Sequence, residues 1–164
     1  MSDSGFACLA LLEDKTYELF ELMMKKSDDS QTSLLLDVIL QETRKHRELL
    51  RHLSKEFEKE VAPSETECGK QLGEFFTKSM SLIHSARDEV HGGMPVAEAA
   101  RKLIAFEQGA GEEYLTQLNV NVRLLVERNP AVRKILEGIA DDEKGHIEIL
   151  KLIIEIASKP QSPL

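Results

Sequence analysis

The sequence predicts an all-α fold: four long helices in two pairs, joined by a long crossover that carries an additional helix. Three observations point there. Leu, Glu and Lys are plentiful, while the 164 residues include only nine Gly, five Pro, 5% aromatics and no Trp, a composition that favours helix over sheet. Apolar residues recur at steps of three and four through most of the chain. Turn signals divide it into two pairs of long segments, with more than thirty residues between the pairs.

The first helix is expected from Gly5 to Lys26, where Leu9, Leu12, Leu19, Phe20 and Met23 form one stripe. The cluster SDDSQTS stops it and offers Ser and Thr to cap the next helix. That second helix is expected from about Ser33 to Glu60, with Leu36, Ile39, His46, Leu50 and Leu53 along one face, before Pro63 breaks the pattern. The additional helix covers about Glu65 to Glu89, apolar at Leu72, Phe75, Phe76, Met80 and Ile83, and His91-Gly92-Gly93 ends it. The third helix is expected from Pro95, a favourable first helical residue, to Arg128. The fourth starts near Pro130 and ends by Ser158, ahead of the polar stretch KPQSPL. Two short connections and one long one suit a ferritin-like four-helix bundle, and the length suits a single domain spanning residues 1–164.

Charge and cysteine usage exclude several functions. A net charge of −8 with no basic stripe argues against nucleic-acid binding. Cys8 and Cys68 are too few and too far apart for a zinc ribbon or a four-cysteine iron site, and no disulfide framework is expected from them. The opening MSDSGFACLALLEDK lacks a basic leader and its apolar run is short, so neither a signal peptide nor a membrane span is expected, and the cytoplasm is the default location.

The chain also repeats itself. Shifted by 100 residues, LLDVILQETRKHRELLRHL of the second helix lies over ILEGIADDEKGHIEILKLI of the fourth, so that Leu36, Ile39, His46, Glu48 and Leu50 meet Leu136, Ile139, His146, Glu148 and Leu150. A shift of 94 lays ALLEDKTYELF over IAFEQGAGEEY, placing Glu13 on Glu107 and Phe20 on Tyr114. Coincident leucines are ordinary in amphipathic helices. A shared His in the same apolar context is not, and it marks two copies of a helical hairpin.

Each copy offers a Glu on its first helix and a carboxylate/His group on its second. Glu13 falls on the stripe of Leu9, Leu12 and Phe20, and Glu107 on that of Leu103, Phe106, Ala110 and Tyr114. Glu143 and His146, three apart, share one face of the fourth helix. Unpaired carboxylates in a helical core are costly to ionise, and a pair of divalent metals would supply the missing charge. Mixed oxygen and nitrogen ligands suit iron or manganese.

Glu13, His46, Glu107 and the Glu143-Lys-Gly-His146 group resemble the rubrerythrin branch of the ferritin-like di-iron proteins, over the four bundle helices and not the crossover. The family pattern has Glu three residues before the first His, where this chain has Thr43. The nearest carboxylate is Glu42, four before His46 and about 40° round the helix from it. A one-residue π-bulge would bring Glu42 to the ligand position. Without it, Thr43 faces the site and the metal pair is short of one carboxylate. Glu42 is the favoured choice, giving Glu13, Glu42, His46, Glu107, Glu143 and His146 as metal ligands. Tyr17 and Tyr114 either bond to ligand carboxylates or pack, Met23 and Met24 are core filler, and His52, His84 and His91 are expected at the surface.

The resemblance implies a metal-binding redox protein with two iron ions, manganese or zinc being alternatives, that reduces hydrogen peroxide or dioxygen. Two cysteines cannot build a rubredoxin segment, so electrons would come from a separate donor protein, a rubredoxin-like one being a candidate. A homodimer is compatible with this. The alternatives are a helical bundle with a degenerate metal site in a binding or structural role, and iron storage, which the intact Glu/His group on the fourth helix disfavours.

Overall fold

The computed structural model describes residues 5–58, 62–116 and 120–159, without the side chains of 109–122. The described residues form six helices and no strand: α1 (Gly5–Lys26), α2 (Ser30–Phe57), α3 (Glu65–His91), α4 (Val96–Thr116), α5 (Val120–Arg128) and α6 (Pro130–Ser158). None of them is long and apolar enough to cross a membrane.

α1 buries Phe6, Leu9, Leu12, Leu19, Phe20 and Met23 along one stripe, as its periodicity requires. Its first turn is closed from a distance, because the Glu58 carboxylate accepts the backbone N–H groups of Phe6 at 2.8 Å and Ala7 at 3.1 Å. Glu58 is also the residue at which α2 ends. The helix that begins the hairpin is thus capped by the one that closes it.

α2 starts at Ser30, three residues before the expected Ser33, because Asp29 is the cap, its carboxylate accepting Thr32 N–H at 2.6 Å. It stops at Phe57 rather than Glu60, where Glu58 turns extended with φ −121° and ψ 160°. α3 opens with a capping box, in which Ser64 N–H donates to Glu67 at 2.7 Å and Glu67 N–H to Ser64 Oγ at 3.2 Å. It bends at Gly73, whose φ of 69° and ψ of −151° are open only to glycine. A Cβ there would meet nothing within 4 Å, so the penalty of a side chain is purely conformational. Gly73→Ala is therefore expected to cost about 1–3 kcal/mol in urea unfolding without altering the fold.

The stretch expected as one helix from Pro95 to Arg128 is described as two, α4 and α5, on either side of residues 117–119, which lie outside the described residues. α6 begins with Asn129 as cap, its side chain accepting the N–H groups of Ala131 at 3.1 Å and Val132 at 3.2 Å, and with Pro130 in the first turn.

α1 packs on α2 and α4 on α6, forming the two hairpins, which meet through α2 on α6 and α1 on α4. α3 covers α1 and α4, burying Leu72, Phe76, Met80 and Ile83. Because α3 lies along α1, Cys8 and Cys68 are brought together, and they form a disulfide across 60 residues of sequence. This corrects the expectation that no disulfide framework forms: the pairing depends on the path of the crossover, which spacing does not reveal.

Candidate metal centre

Five titratable side chains sit in the core where the hairpins meet. Glu13 of α1 is 4% exposed, His46 of α2 0%, Glu107 of α4 1%, and Glu143 and His146 of α6 4% and 1%. Each occupies the apolar stripe of its helix. Glu13 lies between Leu9, Leu12 and Leu19, and Glu107 follows Leu103 and Phe106. His46 lies between Ile39 and Leu50, and His146 between Ile139 and Leu150. The packing that buries the leucines therefore buries these groups too.

They form two triads that share one residue. Glu13, His46 and Glu143 bring one donor atom each within 4.8 Å of one another, and so do Glu107, Glu143 and His146. Glu143 divides its oxygens between the two, Oε1 lying 3.3 Å from His46 Nδ1 and Oε2 3.7 Å from His146 Nδ1. Glu13 Oε2 is 4.0 Å from His46 Nδ1, and Glu107 Oε2 is 3.8 Å from His146 Nδ1. The two imidazole rings lie 5.9 Å apart between centroids.

Behind each ring stands a carboxylate from the opposite hairpin. His46 Nε2 is 2.8 Å from Asp142 Oδ2, and His146 Nε2 is 2.8 Å from Glu42 Oε2. An ionised carboxylate only accepts, so in the neutral ring the proton belongs on Nε2 and the Nδ1 lone pair faces inward. Among the described residues, His46 Nδ1, His146 Nδ1 and both oxygens of Glu107 are buried without a hydrogen-bond partner. Buried polar atoms are nearly always paired. A fifth such atom, Arg47 Nε, is a donor; the four on His46, His146 and Glu107 are all acceptors, which is the chemistry a cation needs. Histidines that ligate metals commonly carry a carboxylate on the outer nitrogen in this way. The residues present could hold a metal ion at each triad.

Electrostatics agree with the geometry. Burial, reinforced by nearby Glu143, pushes the Glu13 carboxyl well above its usual range. Burial would raise Glu143 too, but the imidazoles of His146 and His46 hold it below the usual value. His146 is raised, because Glu143, Glu42 and Glu13 outweigh the effect of its burial. Asp142 is lowered, the hydrogen bonds from His46 and Lys45 outweighing its partial burial.

The sign of the resulting pH dependence is fixed. Glu13 and His146, both raised, stabilise the metal-free fold fully below their unfolded values of 4.5 and 6.5, and lose that contribution as pH rises through the folded values. A metal ion held by these groups would displace those protons and bind more tightly as pH rises. With chelator present, Tm is expected to fall as pH rises past about 6.5; with ferrous or manganous ion it should rise over the same range. Thermal unfolding under both conditions checks this.

The structure brings together Glu13, His46, Glu107, Glu143 and His146. It does not bring Glu42 to the centre. α2 is α-helical from Ser30 to Phe57, without the bulge that would carry Glu42 inward, and Thr43 is the residue buried on that face at 1% exposure. Glu42 instead holds His146 from outside. Asp142 plays the same part for His46 and was missed as a functional residue. The signal was present: each carboxylate stands four residues before its own helix's histidine, and the shift of 100 lays Glu42 on Asp142. Tyr17 packs its ring under the Arg47 guanidinium, 5.1 Å from the ring centre, while the side chain of Tyr114 lies outside the described residues. His52 and His91 are exposed, and His84 is half-buried and pairs with Glu65 at 3.1 Å. The chain matches no protein-family model, no curated protein and no solved structure.

Proposed function

We propose that this protein holds two divalent metal ions, iron before manganese or zinc, between its helical hairpins and uses them to reduce hydrogen peroxide or dioxygen. One observation carries the reading: the four buried, unpartnered acceptor atoms between two triads that share Glu143. Oxygen and nitrogen donors without thiolate favour iron or manganese over softer metals. His46 and Glu13 would hold one ion, His146 and Glu107 the other, with Glu143 offering an oxygen to each.

Two adjacent ferrous ions would supply the two electrons that cleave an O–O bond. The chain's own residues do the rest. Asp142 and Glu42 fix the tautomer and angle of each imidazole. Leu12, Ile39, Leu103 and Leu136, all at most 1% exposed, help keep bulk water from the core. Three buried carboxylates offset most of the charge of the ion pair, and the two behind the imidazoles offset more.

The ligand order along the chain (Glu, His, crossover, Glu, Glu-x-x-His) supports a ferritin-like arrangement close to the rubrerythrin branch. Cys8 and Cys68 are joined to each other and supply no thiolate for an electron-transfer site, so reducing equivalents would come from a separate protein. The Cys8–Cys68 disulfide favours an oxidising compartment over the cytoplasm expected by default, since disulfides persist mainly there. Peroxide added anaerobically to ferrous-loaded protein tests the chemistry. The expected result is one peroxide consumed per two ferrous ions without hydroxyl-radical products; oxidation no faster than that of free ferrous ion would overturn it.

A further inference from the structure

The two halves of the centre differ first in what stands behind each imidazole. Asp142 Oδ2 serves two donors at once, His46 Nε2 at 2.8 Å and Lys45 Nζ at 2.5 Å. Glu42 Oε2 holds His146 Nε2 at 2.8 Å, and among the described residues no lysine or arginine pairs with it. A carboxylate behind an imidazole makes the metal-facing nitrogen a stronger donor. An ammonium on the same carboxylate oxygen draws part of that charge away.

The inner sides differ in the same sense. Glu107, facing His146, has both oxygens buried without a hydrogen-bond partner among the described residues, so an ion placed there relieves the whole cost of its burial. Glu143 is common to both triads, so whichever ion enters second finds its charge already partly spent.

Resting on the metal reading above, we propose that the two positions fill in order, Glu107–Glu143–His146 first and Glu13–His46–Glu143 second, and that exposed Lys45 sets the gap between them through Asp142. Lys45 touches neither ion position directly; it is a positioning residue. It leaves the second ion the more exchangeable of the two, so the bundle can carry one ion firmly while the other comes and goes.

Anaerobic calorimetric titration with cobaltous ion tests the order on the full chain. Wild type should show two resolved steps. Glu107→Gln should remove the tight step, and Glu42→Gln should weaken it by about tenfold, the usual scale for a partner behind a ligand. Lys45→Met should tighten the weak step by about tenfold and leave the tight step within about twofold. Lys144→Met, an exposed lysine paired with Asp141 instead, should move neither and so controls for the loss of a surface charge. Two indistinguishable steps in wild type, or a Lys45→Met protein whose two steps shift alike, would overturn the order while leaving a metal pair intact. No cobalt bound by any variant would remove the metal centre itself, and the order with it.

Discussion

Replacing Glu143 with alanine is expected to abolish retention of both metal ions, whereas Glu13→Ala and Glu107→Ala should each leave one. Glu143 is the one residue common to both triads, with Oε1 at 3.3 Å from one imidazole nitrogen and Oε2 at 3.7 Å from the other. Loss of a group behind a ligand costs about 10–100-fold in affinity, so loss of the shared ligand should exceed about 100-fold at each position. Elemental analysis after anaerobic loading and desalting reads the result. Glu143→Gln, which keeps size and shape but not charge, separates lost ligation from lost packing, and circular dichroism confirms the fold of each variant. A Glu143→Ala protein that keeps one full equivalent would show that the triads act independently.

Removing the Cys8–Cys68 bond should have the largest effect on stability. It closes a loop with a sequence separation of 60, tying the start of α1 to the start of α3 with the whole α2 hairpin between them. Loop-closure entropy on that scale amounts to about 4 kcal/mol. For a chain of this size that corresponds to a fall in Tm of about 8–16 °C. Thermal unfolding of Cys8→Ala/Cys68→Ala, and of unaltered protein with and without reductant, should give the same shift. Wild type whose Tm ignores reductant would mean that the bond does not form in solution.

The helices were legible in the sequence because burial of one face imposes a period, and the caps and breakers are local. Gly5–Lys26 and Pro130–Ser158 came out as the stripes and Pro130 implied. The start of α2 did not, since Asp29 competes with several Ser and Thr for the cap and only the backbone angle decides among them. The five inner residues were legible because a polar group on an apolar stripe, repeated at a fixed shift, is improbable by chance. The placement of Glu42 outside the triads was not legible, for a physical reason. A residue four before a histidine on one helix points past that helix's own site, to the imidazole on the neighbouring helix, and nothing within α2 reveals how α6 is set against it. The disulfide and the bend at Gly73 were invisible for the same kind of reason. Both depend on the course of the crossover over α1, a long-range property that local pattern does not encode.

The central claim is that two metal ions sit between the hairpins, and counting iron tests it most directly. Protein loaded anaerobically with excess ferrous iron, freed of unbound ion by rapid desalting and analysed for iron per chain should retain two. His46→Ala and His146→Ala should each retain one, and the double variant none. Wild type that retains no iron, manganese or zinc, or a double variant that retains as much as wild type, would contradict it.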